Sequence, residues 1–135
     1  MSHEELQGCL PVRSEEDVVI TRQKVRSLAL QLKFSLVDQT KMITAASELS
    51  RNTLVHGGGG QMRWEIVEEG TRRGLRLHFE DEGPGIADLS LALTDGYTTG
   101  TGMGLGLPGS RRLVHDFHVR SAPGSGTCVS ITRWK

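Results

Sequence analysis

Cysteine is nearly absent from this 135-residue chain: Cys9 and Cys128 stand far apart, with no Cys-x-x-Cys pair and no histidine-rich neighbourhood. That spacing excludes a disulfide framework and a cysteine-based metal site, so both read as ordinary reduced thiols. Net charge is absent too. Lys plus Arg number 16 and Asp plus Glu number 16, which removes the electrostatic case for nucleic acid or for adsorption to anionic lipid. No apolar run is long enough to span a bilayer, and "MSHEELQGCL" shows no basic segment followed by an apolar one. No membrane association is expected, and the expected compartment is the cytoplasm. With 36% hydrophobic residues, the chain is expected to form a single domain, residues 1–135, around one core.

Glycine is what the chain has in quantity, and its distribution is uneven. In "TTGTGMGLGLPGSRRL" it fills every second position from Gly100 to Gly106, directly before Pro108. Such a cluster is either a floppy linker or a loop whose backbone must come close to something. It is followed by a run that reads as a helix over Pro108–Asp116, with proline in the first turn. A helix N-terminus leaves backbone N–H groups unpaired, so a glycine-rich approach to it also fits an anion site. It is not a Walker A loop, since no Gly-Lys-Ser/Thr ends it, and no βαβ unit surrounds it.

Elsewhere the hydrophobic period is informative. "DVVIT" (17–21) suits a buried strand or the start of a helix, and Val25, Leu28 and Leu32 recur at helical spacing in "RQKVRSLALQLKF". A second helix is expected over Lys41–His56, with Met42, Ile43, Ala46, Leu49 and Leu54 on one face. Gly57 to Gly60 would end it as turn residues, with no further role. "QMRWEIVEE" and "GLRLHFEDE" alternate as strands around "GTRRG", and "FHVRSA" and "TCVSITRW" alternate around "PGSG". Between Gly83 and Gly106 there is no period, which leaves a long loop with one short helix around Leu89–Leu93. The order predicts an α/β two-layer sandwich, helices on one face of a mainly antiparallel mixed sheet.

Two further clusters carry chemistry. In "FEDEGPGI", Asp81 ends a strand beside Gly83 and Gly85. This is either a turn or one fixed acceptor next to backbone that a ligand can approach. In "ELSRN", Glu48 and Asn52 lie four apart and project from one helix face. They form a solvated pair, or else a carboxylate that takes a proton and an amide oxygen that ligates Mg²⁺. His56, near the helix end, fits a cation favourable to the helix dipole.

Taken together and in this order, Glu48-Leu-Ser-Arg-Asn52, Asp81-Glu-Gly83-Pro-Gly85, Gly102-Met-Gly104-Leu-Gly106 and "GSGT" (124–127) resemble the motifs of the GHKL family of ATP-binding proteins. The resemblance runs from the first helix to the C-terminus. It implies a Bergerat ATP-binding fold with ATP and Mg²⁺ as cofactors. It implies that Asn52 holds Mg²⁺, that Asp81 accepts from the adenine amino group, and that Gly83 and Gly85 shape the adenine pocket. Gly102, Gly104 and Gly106 would cradle phosphates, Thr127 would reach the adenine side, and Glu48 would be the catalytic base or an orienting carboxylate. Within the family, "Asn52-x-x-x-His56-Gly57" and the glycine loop are similar to anti-sigma-factor serine kinases of the RsbT type, although Thr53 replaces their usual alanine and a glycine run follows His56. That branch implies a serine/threonine kinase acting on a STAS-domain antagonist of the RsbS type in partner switching, with a PP2C-type phosphatase as a further partner. The alternative is an ATP-dependent binding module, an anti-sigma factor or phosphatase activator without essential kinase activity.

Overall fold

The computed structural model describes residues 6–83, 107–121 and 123–135. The elements are β1 (Gln7–Val12), α1 (Glu15–Gln31), α2 (Leu36–Val55), β2 (Gly60–Glu69), β3 (Arg72–Asp81), α3 (Leu107–Arg112), β4 (Asp116–Ser121) and β5 (Thr127–Trp134). The strands form one sheet in the order β1-β2-β3-β5-β4, so β5 inserts between β3 and the edge strand β4. All four pairings among the described residues are antiparallel. The antiparallel expectation therefore holds, while its mixed component finds no counterpart there. The short helix expected at Leu89–Leu93 lies outside the described residues.

Alternation along the strands separates two faces. Met62 and Trp64 of β2, Leu75, Leu77 and Phe79 of β3, and Val129 and Ile131 of β5 are buried against Val18, Val25 and Leu28 of α1 and Met42, Ala45, Ala46 and Leu49 of α2. This is the helix-on-sheet core. The opposite face is polar and tied across strands: His78 joins Glu65 at 2.8 Å through Nε2 and Ser130 at 2.6 Å through Nδ1.

Local chemistry explains where the boundaries differ from the periodic reading. Ser14 caps α1 by accepting from the Asp17 amide at 3.1 Å, and Asp17 reaches back to the Arg13 amide at 2.9 Å. "DVVIT" accordingly lies inside the helix. Ser35 accepts from the Asp38 amide at 3.1 Å, so α2 starts at Leu36, ahead of the expected Lys41. Helix α3 stops at Arg112, short of the expected Asp116, because the His115 amide already pairs with the Thr132 carbonyl at 3.0 Å. Strand β1 was not expected at all. Its Gly8 and Pro11 disfavour a central strand, yet β1 is an edge, and the Trp64 ring lies over Gly8 where a Cβ would clash at 2.5 Å.

One ion pair ties the start of α2 to the sheet. Arg133 of β5 donates to Asp38 in the first turn of α2, and also to the Leu113 carbonyl just beyond α3 at 2.9 Å. The Arg133 hydrogen bond holds the Asp38 carboxyl below its ordinary value. A depressed folded-state value contributes stability that is complete above the unfolded value and is lost as pH falls through the folded one. Asp38→Asn should therefore cost on the order of 1–2 kcal/mol at neutral pH. The gap between wild type and variant should shrink as pH drops below about 4. Urea unfolding across pH 2–7 checks this (pH values spanning the ~3.9 reference of Asp), and a gap independent of pH would contradict it.

Candidate functional site

The C-terminal end of α2 is the first wall. The Asn52 carbonyl accepts from the His56 amide at 2.9 Å and the Gly57 amide at 3.0 Å, and the Gly59 amide returns to the Thr53 carbonyl at 2.8 Å. The Thr53 hydroxyl is buried and bonds the Leu49 carbonyl at 2.9 Å, so this departure from the alanine pattern satisfies itself within the helix. Gly58 and Gly59, at φ 74° and 107°, then turn the chain into β2.

Asp81, at the end of β3, is the second wall, and it lies opposite Gly60 of β2 and Thr127 of β5. Its Oδ1 accepts two backbone N–H groups, from Gly83 at 2.9 Å and from Thr127 at 3.2 Å. No described residue donates to Oδ2. That oxygen faces Gly57, where a Cβ would come within 2.5 Å of it. Gly57 was expected to be a plain turn residue. Instead it is the residue whose missing side chain leaves room for the Asp81 carboxylate. A Cβ on Gly83 would meet the Gly57 Cα at 2.7 Å, and one on Gly126, itself at φ 75°, would run into the Asp81 carbonyl. Gly57 thus packs onto the carboxylate itself, and Gly83 and Gly126 onto the backbone around it, at distances that only glycine permits.

Thr127 is the third part. Ser121 of β4 donates to the Gly126 carbonyl at 2.9 Å and lies 2.8 Å from the Thr127 hydroxyl. With the Ser121 proton on Gly126, the Thr127 hydroxyl is the donor in that pair and keeps its own lone pairs open. Clefts flank Asp81 on both sides. One of about 340 Å³ is lined by Arg120, Ser121, Ser125 and Thr127, and one of about 440 Å³ is lined by Arg13, Gln61, Glu82 and the Gly57–Gly60 turn.

Of the residues singled out in the sequence, Asp81, Gly83 and Thr127 meet directly through hydrogen bonds. Asn52 joins them through Gly57. Glu48 is exposed on α2, one turn before Asn52, about 6 Å along the axis. Gly85, Gly102, Gly104 and Gly106 lie outside the described residues. Gly57 and Ser121 were missed as parts of the site. The signal for Gly57 was a glycine directly after the helix-closing histidine, whereas Ser121 in "FHVRSA" carries none.

Gly57→Ala should cost about 1–3 kcal/mol, the usual cost of an overpacked position, and should shift the Gly83 and Thr127 amide resonances by displacing Asp81. Gly58→Ala, with open space around it at φ 74°, should cost only about 1–2 kcal/mol of backbone strain and leave those resonances in place. Denaturant unfolding and amide correlation spectra separate the two. Unmoved resonances in Gly57→Ala would contradict the packing described.

The family model for histidine kinase-, DNA gyrase B- and HSP90-like ATPases matches residues 37–135. The serine/threonine-protein kinase RsbT of Bacillus subtilis is 41% identical over 128 residues, 95% of this chain and 96% of that protein. An anti-sigma F factor of a Thermoanaerobacter species is 29% identical over 118 residues, 84% of this chain and 82% of that protein. In fold, the chain matches a crystal structure of the RsbU and RsbW domains of a Mycobacterium tuberculosis protein with a TM-score of 0.63 at 15% identity. That match covers 96% of this chain and about a third, 32%, of the other. The chain therefore belongs to the histidine kinase-, DNA gyrase B- and HSP90-like ATPases, in the branch that includes the RsbT kinase.

Proposed function

We propose that residues 1–135 act as one ATP-binding domain and that the protein is a serine/threonine kinase. It would transfer the ATP γ-phosphoryl group to a STAS-domain antagonist of the RsbS type in a partner-switching pathway. The observation that carries the reading is Asp81: a carboxylate with one oxygen pinned by two backbone donors and the other facing a pocket walled by glycine. An acceptor fixed this way suits an exocyclic amine and needs no rearrangement to receive it.

In this reading Asp81 Oδ2 takes the adenine amino group, Gly57, Gly83 and Gly85 let the ring come close, and Thr127 offers its lone pairs beside it. Gly102, Gly104 and Gly106 give backbone N–H groups to phosphate ahead of α3. The described residues contain no cluster of three or more His, Cys, Asp or Glu able to hold a metal, so they supply no complete metal cage. Asn52 would hold Mg²⁺ through its side-chain oxygen, a ligand type this ion accepts, with nucleotide phosphates and water as its other ligands. ATP with Mg²⁺ supplies an activated phosphoryl group and neutralises charge on its oxygens. Glu48 accepts the proton of the incoming hydroxyl, and its place one turn from Asn52 sets base and metal ligand on one helix face.

The anti-sigma F relative favours a second output, in which the nucleotide-loaded protein binds a regulator such as a PP2C-type phosphatase or a sigma factor. The two outputs are compatible. No described helix is long and apolar enough to cross a membrane, and the proposed site of action is the cytoplasm, where ATP is available.

Asp81→Asn should keep the fold and lose ATP binding. The two donors at Oδ1 require the amide carbonyl there, which turns the NH₂ group toward the ligand, so donor would face donor. Calorimetric titration checks this, and unchanged affinity would remove Asp81 from the pocket. Glu48→Ala should bind ATP normally and slow transfer by about 10²–10⁴-fold, whereas Asn52→Ala should reduce both. Labelled ATP with a purified STAS-domain protein reads the transfer, and an acid-labile product would rule out a hydroxyl acceptor.

A further inference from the structure

Helix α2 buries one face in the core through Met42, Ala45, Ala46, Leu49 and Thr53. Its opposite face carries Val37, Lys41, Thr44, Glu48, Arg51 and Val55, spaced alternately four and three residues apart, which places them on one stripe. The stripe is open: Val37 is 62% exposed and Val55 50%, Thr44, Glu48 and Arg51 are exposed, and Lys41 is half-buried. Valine is a mediocre helix former, and at a solvent position it contributes nothing that a polar residue would not. Here two valines mark the ends of a stripe about 27 Å long. Glu48 stands between them, flanked by Lys41 on one side and Arg51 on the other.

From this stripe, and resting on the kinase reading above, we infer that the open face of α2 is the docking surface for the acceptor protein. The occupant is a folded protein whose acceptor hydroxyl sits between carboxylates, with apolar side chains beyond them. Its carboxylates face Lys41 and Arg51, its apolar groups cover Val37 and Val55, and its hydroxyl falls at Glu48. The length decides against a short flexible peptide, which would have to be ordered over the whole stripe to reach both valines. Charge decides against a second copy of this chain. A two-fold pairing that matches Val37 with Val55 sets Lys41 of one copy against Arg51 of the other, like charge on like. The acceptor is thereby selected along α2, on a stripe that meets the nucleotide-holding groups only at Glu48, one turn from Asn52.

The test is transfer kinetics from labelled ATP to a purified STAS-domain protein of the RsbS type, at varied acceptor concentration, for wild type, Val37→Glu, Val55→Glu and Arg51→Glu. ATP affinity is measured on each by calorimetry. Each substitution should raise the KM for the acceptor about tenfold or more, as loss of an interface anchor does, with ATP affinity and kcat at saturating acceptor unchanged. Unchanged KM in both valine variants overturns the inference while leaving the kinase reading intact. A change in self-association by sedimentation, with KM unaltered, overturns it equally by making the stripe a self-interface. If wild type labels no acceptor, the kinase reading fails and the docking inference falls with it; labelling as fast after Glu48→Ala would remove Glu48 as the base and overturn the placement of the acceptor hydroxyl, leaving the kinase reading intact.

Discussion

Everything in the site depends on one oxygen atom. Asp81 Oδ1 accepts from Gly83, in the bend just after β3, and from Thr127, which begins β5. These two bonds fix the carboxylate plane at the point where the chain leaves one strand and enters another. Both donors are backbone: Thr127 is placed opposite Asp81 by the sheet register and Gly83 by the bend that follows β3, so neither depends on a side-chain rotamer. The register that aligns Gly60, Asp81 and Thr127 also aligns Met62, Phe79 and Val129 on the buried face two residues away. A slip by one residue would expose the core and dismantle the site together. Stability and ligand geometry thus share a single constraint.

Helix α2 meets that constraint from the other layer. Its N-terminal end is held by Arg133 through Asp38. Its C-terminal end is drawn in until Gly57 touches Asp81. Fully buried Ala45 and Ala46 allow a close approach to the sheet along its length. A helix fixed at both ends over a sheet is a rigid support, and Glu48 and Asn52 inherit their spacing from it and not from a loop. Arg133 also holds the Leu113 carbonyl beyond α3, so the helix that follows the glycine-rich loop is tied to the same pair that places α2.

Much of this was legible before any coordinates. The β2–β3 and β4–β5 hairpins and the core face of α2 came from period, and Asp81, Glu48 and Asn52 stood out as polar clusters, while their roles and Thr127 came from the resemblance to the GHKL motifs. Three things did not. Strand β1 carries Gly8 and Pro11, whose local preference opposes a strand, and only the Trp64 ring above Gly8 and the free edge beside Pro11 explain them. The early start of α2 was written in Ser35 and Asp38, a serine followed three residues later by a carboxylate, but apolar periodicity drew attention to Lys41. The role of Gly57 is a tertiary contact with a residue 24 positions later, as the numbering of Gly57 and Asp81 gives. No local rule separates it from Gly58, whose φ of 74° is a turn requirement.

The central claim is that Asp81 Oδ2 recognises a hydrogen-bond donor on the base. Comparing the affinities of ATP and inosine triphosphate, which differ chiefly in an amino group against a carbonyl oxygen at that position, tests it on the unmodified protein. The account predicts that inosine triphosphate binds about 10²-fold or more weakly, because a carbonyl oxygen would face a carboxylate whose partner atom is already committed. Equal affinity for the two nucleotides would contradict it.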